Sequence, residues 1–171
     1  TELSGSVFEA DGQTKLGQTS VALFNSNGQY LFGTATEGGD YSFYLTPGDY
    51  YLGAFDHAGN YAMEFYNEAG AQINNATPVT VEAGVPLMNI DFTLETGGKV
   101  TVRVTEADGT TPIANATIWT QDYFPAACTN SHDSYRLHTL PLDTPLIFKS
   151  GGPDNICNGP TNYANQYWPN A

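Results

Sequence analysis

The residues of this 171-residue chain that could do acid–base or metal chemistry are few and poorly placed for it. The histidines are His57, His132 and His138, and the most suggestive arrangement is Ser131-His132-Asp133. Adjacent residues of an extended chain point to opposite sides, so this tripeptide cannot form a hydrolytic triad by itself. We therefore expect a protein that is not an enzyme, and we disfavour metal binding by His132, Asp133 and His138.

Two Asp-Gly dipeptides, Asp11-Gly12 and Asp108-Gly109, could be mistaken for calcium-binding loops. Asp-Gly is a strong signal for a tight turn between strands. The carboxylate spacing that an EF-hand calcium loop requires is absent around both. The sequence therefore predicts turns here, with no metal and no cofactor.

The two cysteines, Cys128 and Cys157, have no metal-ligand companions at short spacing. A disulfide is favoured over two free thiols, and it would place the protein in an oxidising compartment. Closing a loop of this length stabilises a fold by about 3 kcal/mol through the unfolded state.

The charge balance is strongly acidic, with 5 Lys and Arg against 18 Asp and Glu and a formal net charge of -13. This charge works against binding to nucleic acid or to an anionic membrane surface. No apolar run approaches the roughly 18 residues that a membrane span requires. The chain begins at Thr1 without a signal-peptide pattern, so we expect a mature product or the ordered part of a longer chain. The acidic, Lys-poor composition suits an exported protein, so we expect an extracellular or cell-surface location.

The chain repeats itself in three blocks that occur in the same order in both halves. A shift of 97 residues places Glu9–Gly12 on Glu106–Gly109, and a shift of 94 places Tyr41-Ser42-Phe43 on Tyr135-Arg136-Leu137. A shift of 102 places the decapeptide that starts at Asn60-Tyr61-Ala62 on the one that starts at Asn162-Tyr163-Ala164. The halves therefore predict two similar domains, residues 1–95 and 96–171.

Both halves read as strands separated by turns. Aromatic and β-branched runs alternate with Gly, Asn, Asp and Pro every 8 to 12 residues or so, which is typical of a β-sandwich. In the second half Val100, Val102 and Val104 alternate with polar residues, which indicates a strand with one buried face. The predicted fold class is all-β, with two tandem sandwich domains.

The chain resembles the carboxypeptidase-regulatory-like repeats of secreted bacterial proteins, relatives of the CnaB and transthyretin-type sandwiches. The motifs that carry the resemblance are Ser4–Val7, Glu9–Gly12, Thr36–Tyr41, Leu45–Tyr50, Ala76–Val81 and Ile90–Leu94. The resemblance implies Ig-like sandwiches of the transthyretin or CnaB type. Such modules serve as spacers, adhesion stalks, carbohydrate-binding modules and pilus subunits, so it says little about function.

Some CnaB domains carry an internal Lys-to-Asn isopeptide bond, and this sequence departs from that pattern. The first strand of domain 1 has no lysine, and Lys99 of domain 2 has no closing strand to meet. We therefore expect no internal isopeptide bond.

The second domain is predicted to be incomplete. After the first closing decapeptide the chain continues to Leu94, through the alternating Met88, Ile90, Phe92 and Leu94, whereas nothing follows the second decapeptide. A strand missing at this place would leave an apolar cleft and a row of unpaired backbone groups, and burying apolar surface is worth about 25 cal/mol per Å². Such a domain should be sticky or marginally stable alone.

Donor-strand exchange between copies would complete it, as in bacterial pili. The predicted donor is the N-terminal strand, with Leu3, Gly5 and Val7 as contacts, and the predicted acceptor region contains Tyr163, Tyr167 and Trp168. Because such a head-to-tail contact need not close, it would give a helical homopolymer, a pilus-like fibril.

Simpler interpretations stay open beside this one. The strand from Leu3 to Phe8 could be domain 1's own first strand, and the chain could be a spacer, stalk or adhesin domain of a larger secreted protein. A carbohydrate-binding module is a further alternative, because Trp168 and nearby tyrosines could stack on surface glycans, although core packing is favoured for most of them. Asn75 and Asn115 match the N-glycosylation pattern, a match that often arises by chance in Thr-rich chains.

Overall fold

The computed structural model describes residues 1–67, 69–120, 123–129, 134–142, 145–151, 157–160 and 162–168. Within these ranges the elements are strands and one short 3-10 helix, η1 (Ile73–Asn75), which confirms the predicted all-β class. The strands of the first half are β1 (Glu2–Glu9), β2 (Thr19–Asn25), β3 (Tyr30–Ala35), β4 (Asp40–Tyr44), β5 (Gly48–Asp56), β6 (Glu64–Phe65), β7 (Val79–Val81) and β8 (Phe92–Leu94). Those of the second half are β9 (Gly98–Arg103), β10 (Thr117–Thr120), β11 (Tyr123–Cys128), β12 (Ser134–Leu140), β13 (Phe148–Ser150) and β14 (Gln166–Trp168).

The chain divides into two compact units. Unit 1 comprises Thr1–Gly98 and His138–Leu142, and unit 2 comprises Lys99–Leu137 and Asp143–Ala171.

Unit 1 is a sandwich of two sheets. One sheet has the strand order β4-β1-β8, and the other has the order β3-β2-β5-β6, with β7 also paired to β5. Residues alternate between core and solvent along the strands, as in β4, where Tyr41 and Phe43 are buried and their neighbours are exposed. The facing layers of the core come from both sheets, and the fully buried side chains include Leu3, Val7, Val21, Leu23, Leu52 and Leu94.

Strand β1 lies in the middle of its sheet and has a neighbour on each side. It runs antiparallel to β4, with Leu3 opposite Phe43, and parallel to β8, with Val7 opposite Phe92. Leu3 and Val7 are both completely buried. The predicted donor strand is therefore the first strand of unit 1's own sandwich in this structure, as the simpler interpretation expects.

The segment before β8 departs from the predicted alternation. Phe92 and Leu94 are buried and Ile90 is partly buried, but Met88 is 69% exposed. The prediction that Met88 faces the core is wrong because Asn89 adopts a left-handed conformation, with φ 62°, which turns the chain between Met88 and Ile90.

Unit 2 contains a four-stranded sheet of order β11-β10-β13-β14, and β9 pairs with β12. Ile118 of β10 and Phe148 of β13 are buried, as is Leu137 of β12. The valines of β9 alternate with exposed residues as predicted, but Val100 and Val102 are only partly buried.

The same turn follows β1 and β9. Asp11 accepts hydrogen bonds from the backbone of Gln13 and Thr14 at 2.8 Å, and Asp108 accepts the equivalent bonds from Thr110 and Thr111, also at 2.8 Å. The hydroxyls of Thr14 and Thr111 donate to the second oxygens of these two carboxylates. These hydrogen bonds hold the pKa of both carboxyl groups below its usual value, and the bond from the threonine hydroxyl has the largest effect. Both Asp-Gly dipeptides thus form turns, and the carboxylates are engaged in them.

Candidate functional site

Unit 2 contains an open groove with a cavity of about 330 Å³. One wall is the segment Val104–Glu106, which continues the chain from β9, and Tyr163 and Ala164 also line the cavity. Ile113 and Ala116 also line the cavity and contribute apolar surface. We call this feature the unit 2 groove.

The repeat identifies the counterparts of the groove residues in unit 1. A shift of 97 residues places Val104–Glu106 on Val7–Glu9. The backbone bonds agree with this equivalence, because the Leu16 amide donates to the Val7 carbonyl at 2.9 Å and the Ile113 amide donates to the Val104 carbonyl at 3.0 Å. One wall of the groove is therefore the structural equivalent of the end of β1.

In unit 1 this part of β1 is covered by another strand. Val7, Phe8 and Glu9 pair with Phe92, Thr93 and Leu94 of β8. Among the residues that the structure describes, β9 pairs with β12 and with no other strand. The unit 2 groove thus lies along the segment whose unit 1 counterpart pairs with β8.

Burial differs between the two copies as this arrangement requires. Leu3 and Val7 of β1 have no exposed surface, whereas their counterparts Val100 and Val104 are only partly buried. These apolar side chains keep solvent contact that an additional strand would remove.

A tyrosine and a glutamate meet at the groove. The Tyr163 hydroxyl donates to Glu106 Oε1 at 3.1 Å, and this bond is the first cause that raises the pKa of the Tyr163 phenol. In unit 1 the equivalent pair is Tyr61 and Glu9, whose hydrogen bond likewise raises the pKa of Tyr61. Both members of the pair recur in the repeat, but at different shifts, 97 and 102, which conceals their partnership in the sequence.

The backbone beside this tyrosine is used differently in the two units. In unit 1 the Ala62 amide donates to the Glu95 carbonyl at 2.8 Å, and the Gly97 amide donates to the Asn60 carbonyl at 2.7 Å. These two hydrogen bonds connect the residues just after β8 to the decapeptide that starts at Asn60. In unit 2 the equivalent Ala164 lines the groove instead.

Of the predicted acceptor residues, only Tyr163 lines the groove. Tyr167 and Trp168 lie in β14, the outer strand of its sheet, and they are 42% and 66% exposed. The Trp168 ring lies beside Phe148, with ring centroids 6.2 Å apart. The predicted donor residues Leu3, Gly5 and Val7 lie in unit 1, in β1.

The two cysteines form a disulfide within unit 2, with their Cα atoms 5.5 Å apart. Cys128 ends β11 and pairs with Thr117 of β10. The Thr117 hydroxyl also donates to the Cys157 sulfur at 3.1 Å, and Thr117 lines the groove. The disulfide therefore links Cys157 to the end of β11, which pairs with β10, the strand that contributes Thr117 to the groove.

Among the described residues, the candidates for catalysis and metal binding do not converge on a site. His132 and Asp133 lie outside the described residues, as does the side chain of His138. His57 is exposed in a turn, and its neighbour Asp56 accepts backbone bonds from Ala58, Asn60 and Tyr61, so that its carboxylate serves the turn. Within the described ranges no group of three or more His, Cys, Asp and Glu could hold a metal ion.

Two further sequence features can be located. Asn75 at the end of η1 and Asn115 before β10 are both exposed. None of the helices in the described part of the chain is long and apolar enough to cross a membrane.

Comparisons with known proteins give distant structural similarities only. No protein-family model and no curated protein sequence matches the chain. The TIE protein of Bacillus anthracis aligns with 98% of the chain at 18% identity and a TM-score of 0.42, and the chain spans 31% of that structure's length. A DUF3823 family protein from Bacteroides ovatus aligns with the whole chain at 15% identity and a TM-score of 0.39, over 92% of its own length. The basis for a proposal about the groove is therefore the comparison between unit 1 and unit 2 of this chain.

Proposed function

We propose that this chain is a structural, non-enzymatic module of an extracellular or cell-surface protein, and that unit 2 is completed by a β-strand supplied from outside the residues that the structure describes. One observation carries the proposal. The groove wall Val104–Glu106 repeats the segment Val7–Glu9, which in unit 1 is covered by β8.

The physical reason is the cost of an open edge. A strand edge presents a row of backbone donors and acceptors, and an added strand satisfies them while covering the adjacent apolar side chains. Burying apolar surface contributes about 25 cal/mol per Å². The partly buried Val100 and Val104 are the side chains that would gain most from such a strand.

The location of β1 bears on which protein supplies the strand. Exchange of the N-terminal strand between copies would have to remove Leu3 and Val7 from a core in which neither has any exposed surface. A pilus-like homopolymer built in this way would therefore deprive unit 1 of its first strand and open its core. These contacts favour a spacer, stalk or adhesin module that receives its strand from a different segment.

The disulfide supports the extracellular assignment. Structural disulfides persist in oxidising compartments and are rare in the cytosol. Cys128 and Cys157 are paired within unit 2, close to the groove.

The test is to supply the strand through a flexible linker after Ala171. Two tethered segments would be compared, the sequence Pro86–Glu95 and the same sequence without Asn89, with a scrambled segment of equal composition as the control. We expect at least one of them to raise the unfolding midpoint of unit 2 above that of the protein with the scrambled segment. Equal midpoints for all three proteins would overturn the proposal.

Glycan binding is a second candidate, and the exposed ring of Trp168 on an outer strand favours it. An aromatic face in this position can stack on a sugar ring. A glycan array with the native protein and with Trp168→Ala tests it. Hits that disappear in the variant would support a carbohydrate-binding role, and an array without hits would end it.

A further inference from the structure

One difference between the two units lies in β9, the strand that leads into the groove segment Val104–Glu106. A shift of 97 residues places Val102 of β9 on Gly5 of β1. Gly5 lies between Leu3 and Val7 along β1, and a Cβ atom added to it would come within 2.0 Å of the Ile90 carbonyl oxygen. The absence of a side chain at Gly5 is therefore what lets the chain at Ile90 pass so close to β1.

This close passage interrupts the pairing between β1 and the segment that leads into β8. Leu3 is bridged to Leu87, and Val7 pairs with Phe92. Four steps along β1 thus correspond to five steps along its partner, so that the partner contains one extra residue. This extra residue makes the segment between Leu87 and Phe92 a β-bulge in a parallel strand pair, and the left-handed Asn89 lies within it.

In unit 2 the side chain of Val102 occupies the position that Gly5 leaves open to the chain at Ile90 in unit 1. Val102 carries a branched side chain where Gly5 has none, and this side chain is partly buried. A partner that bulged inwards at this point, as the chain does at Ile90, would collide with Val102.

We infer that the strand completing unit 2 is a regular parallel strand without a bulge, which pairs residue for residue alongside Val102–Glu106. The inference rests on the proposed function and specifies the chemistry of its partner. By the example of β8, where Phe92 lies beside Val7 and Leu94 beside Glu9, the strand carries an aromatic or large aliphatic side chain beside Val104 and another beside Glu106. Its intervening, outward-facing residues are neutral or basic, because the receiving chain has a net charge of -13.

Synthetic peptides test the inference on the intact protein. The first peptide copies Pro86–Glu95, and the second is the same peptide without Asn89, which restores four steps between Leu87 and Phe92. A third peptide combines the deletion with Phe92→Asp as a control for apolar contact. Binding to the protein would be measured by calorimetry.

We expect the peptide without Asn89 to bind about tenfold more tightly than the full-length copy, and the aspartate control to bind no better than a scrambled peptide. The Val102→Gly variant should lose this preference, since the bulged path is then open. A nitroxide at the amino end of the bound peptide should broaden the amide signals near Val100 rather than those near Glu106, as parallel pairing requires.

The outcomes separate the inference from the proposed function. If the full-length copy binds as tightly as the shortened peptide, or the nitroxide broadens the signals near Glu106, the inference is wrong while strand completion stands. If no peptide binds and no tethered strand stabilises unit 2, the proposed function itself fails.

Discussion

Val7 and Val104 occupy equivalent positions in the two units, but only Val7 is completely buried. Each carbonyl accepts a hydrogen bond from the residue nine positions later in the chain, Leu16 in one unit and Ile113 in the other. Phe92 of β8 pairs with Val7, and Val104 faces the unit 2 groove. The pair therefore provides a matched comparison of the same residue type with and without a covering strand.

Aspartate substitutions at these two positions should have different consequences. Val7→Asp places a carboxylate in a sealed core and should lower the free energy of unfolding of unit 1 by more than about 3 kcal/mol. Val104→Asp should cost less than about 1 kcal/mol, because its carboxylate reaches solvent, but it should abolish stabilisation by a tethered strand. Urea unfolding with and without the tether measures both effects. Equal destabilisation by the two variants would contradict the assignment of Val104 to an open groove.

Gly5→Ala should strongly destabilise unit 1. The added Cβ would meet the Ile90 carbonyl oxygen at 2.0 Å, and this oxygen belongs to a backbone segment that is hydrogen-bonded to β1 and cannot easily move away. We expect a loss of about 3 kcal/mol or more, at the upper end of overpacking effects. Gly17→Ala is the control, since the nearest atom to its Cβ is 3.9 Å away, and it should be nearly neutral. Thermal unfolding of the two variants is the measurement, and similar midpoints would argue against the close passage at Gly5.

Removing the disulfide should weaken unit 2 and leave unit 1 unchanged. Cys128 and Cys157 are 29 residues apart in sequence, and opening such a loop costs about 3–4 kcal/mol through the entropy of the unfolded chain. The double variant Cys128→Ser, Cys157→Ser should therefore unfold at lower urea concentration in unit 2. Tryptophan fluorescence reports on unit 2 alone, because both tryptophans, Trp119 and Trp168, lie there. An unchanged fluorescence transition would contradict a stabilising role for the bond.

Stability should fall above the ordinary pKa of tyrosine, partly because of Tyr41. Its hydroxyl donates to the Ile90 carbonyl at 2.5 Å, and burial, followed by the charges of Asp91 and Tyr66, raises the pKa of the phenol above its usual value. The unfolded chain releases this proton near pH 10, below the folded pKa, so the stabilisation is complete at lower pH and declines as pH rises beyond that point. One such group contributes a slope of about 1.4 kcal/mol per pH unit.

Urea midpoints between pH 8 and pH 11 measure this slope. Tyr41→Phe should be less stable at pH 8, by about 1 kcal/mol for the lost hydrogen bond, and should show a shallower decline at high pH. The same slope in both proteins would show that Tyr41 is not the group responsible.

Local patterns in the sequence predict the elements of the fold well. Alternation predicts that Val100 and Val102 share one face of a strand, and Asp-Gly marks the turns at Asp11 and Asp108. These features depend on a few neighbouring residues, which is why they are readable. Alternation does not predict the exposure of Met88, because the single left-handed residue Asn89 turns the chain so that the Met88 side chain lies in solvent.

The candidate site was only partly predictable for a different reason. The sequence predicts a strand in the segment that ends at Leu94, but it does not say that this strand lies beside β1, because pairing of the first and last strands is set by contacts about 85 residues apart. An alternating N-terminal strand with Leu3 and Val7 suits its own domain and a neighbour's equally well. The hydrogen bond between Tyr163 and Glu106 at the groove was also hidden in the sequence. Tyr163 repeats its unit 1 counterpart at a shift of 102 residues, whereas Glu106 does so at a shift of 97.

The parallel pairing of β1 with β8 has a mechanical consequence. Because the two strands point the same way, the chain enters this pair at the Glu2 end and leaves it at the opposite end, after Leu94. Tension applied along the chain would pull the strands past each other, loading the bonds between Val7–Glu9 and β8 together with those between Glu2, Ser4 and Leu87. Bonds loaded in shear share the force and break together, whereas bonds at the end of a hairpin break one after another. The strand arrangement of unit 1 therefore places its first and last strands in the shear geometry. The parallel strand proposed for unit 2 would place the segment Val104–Glu106 in the same geometry.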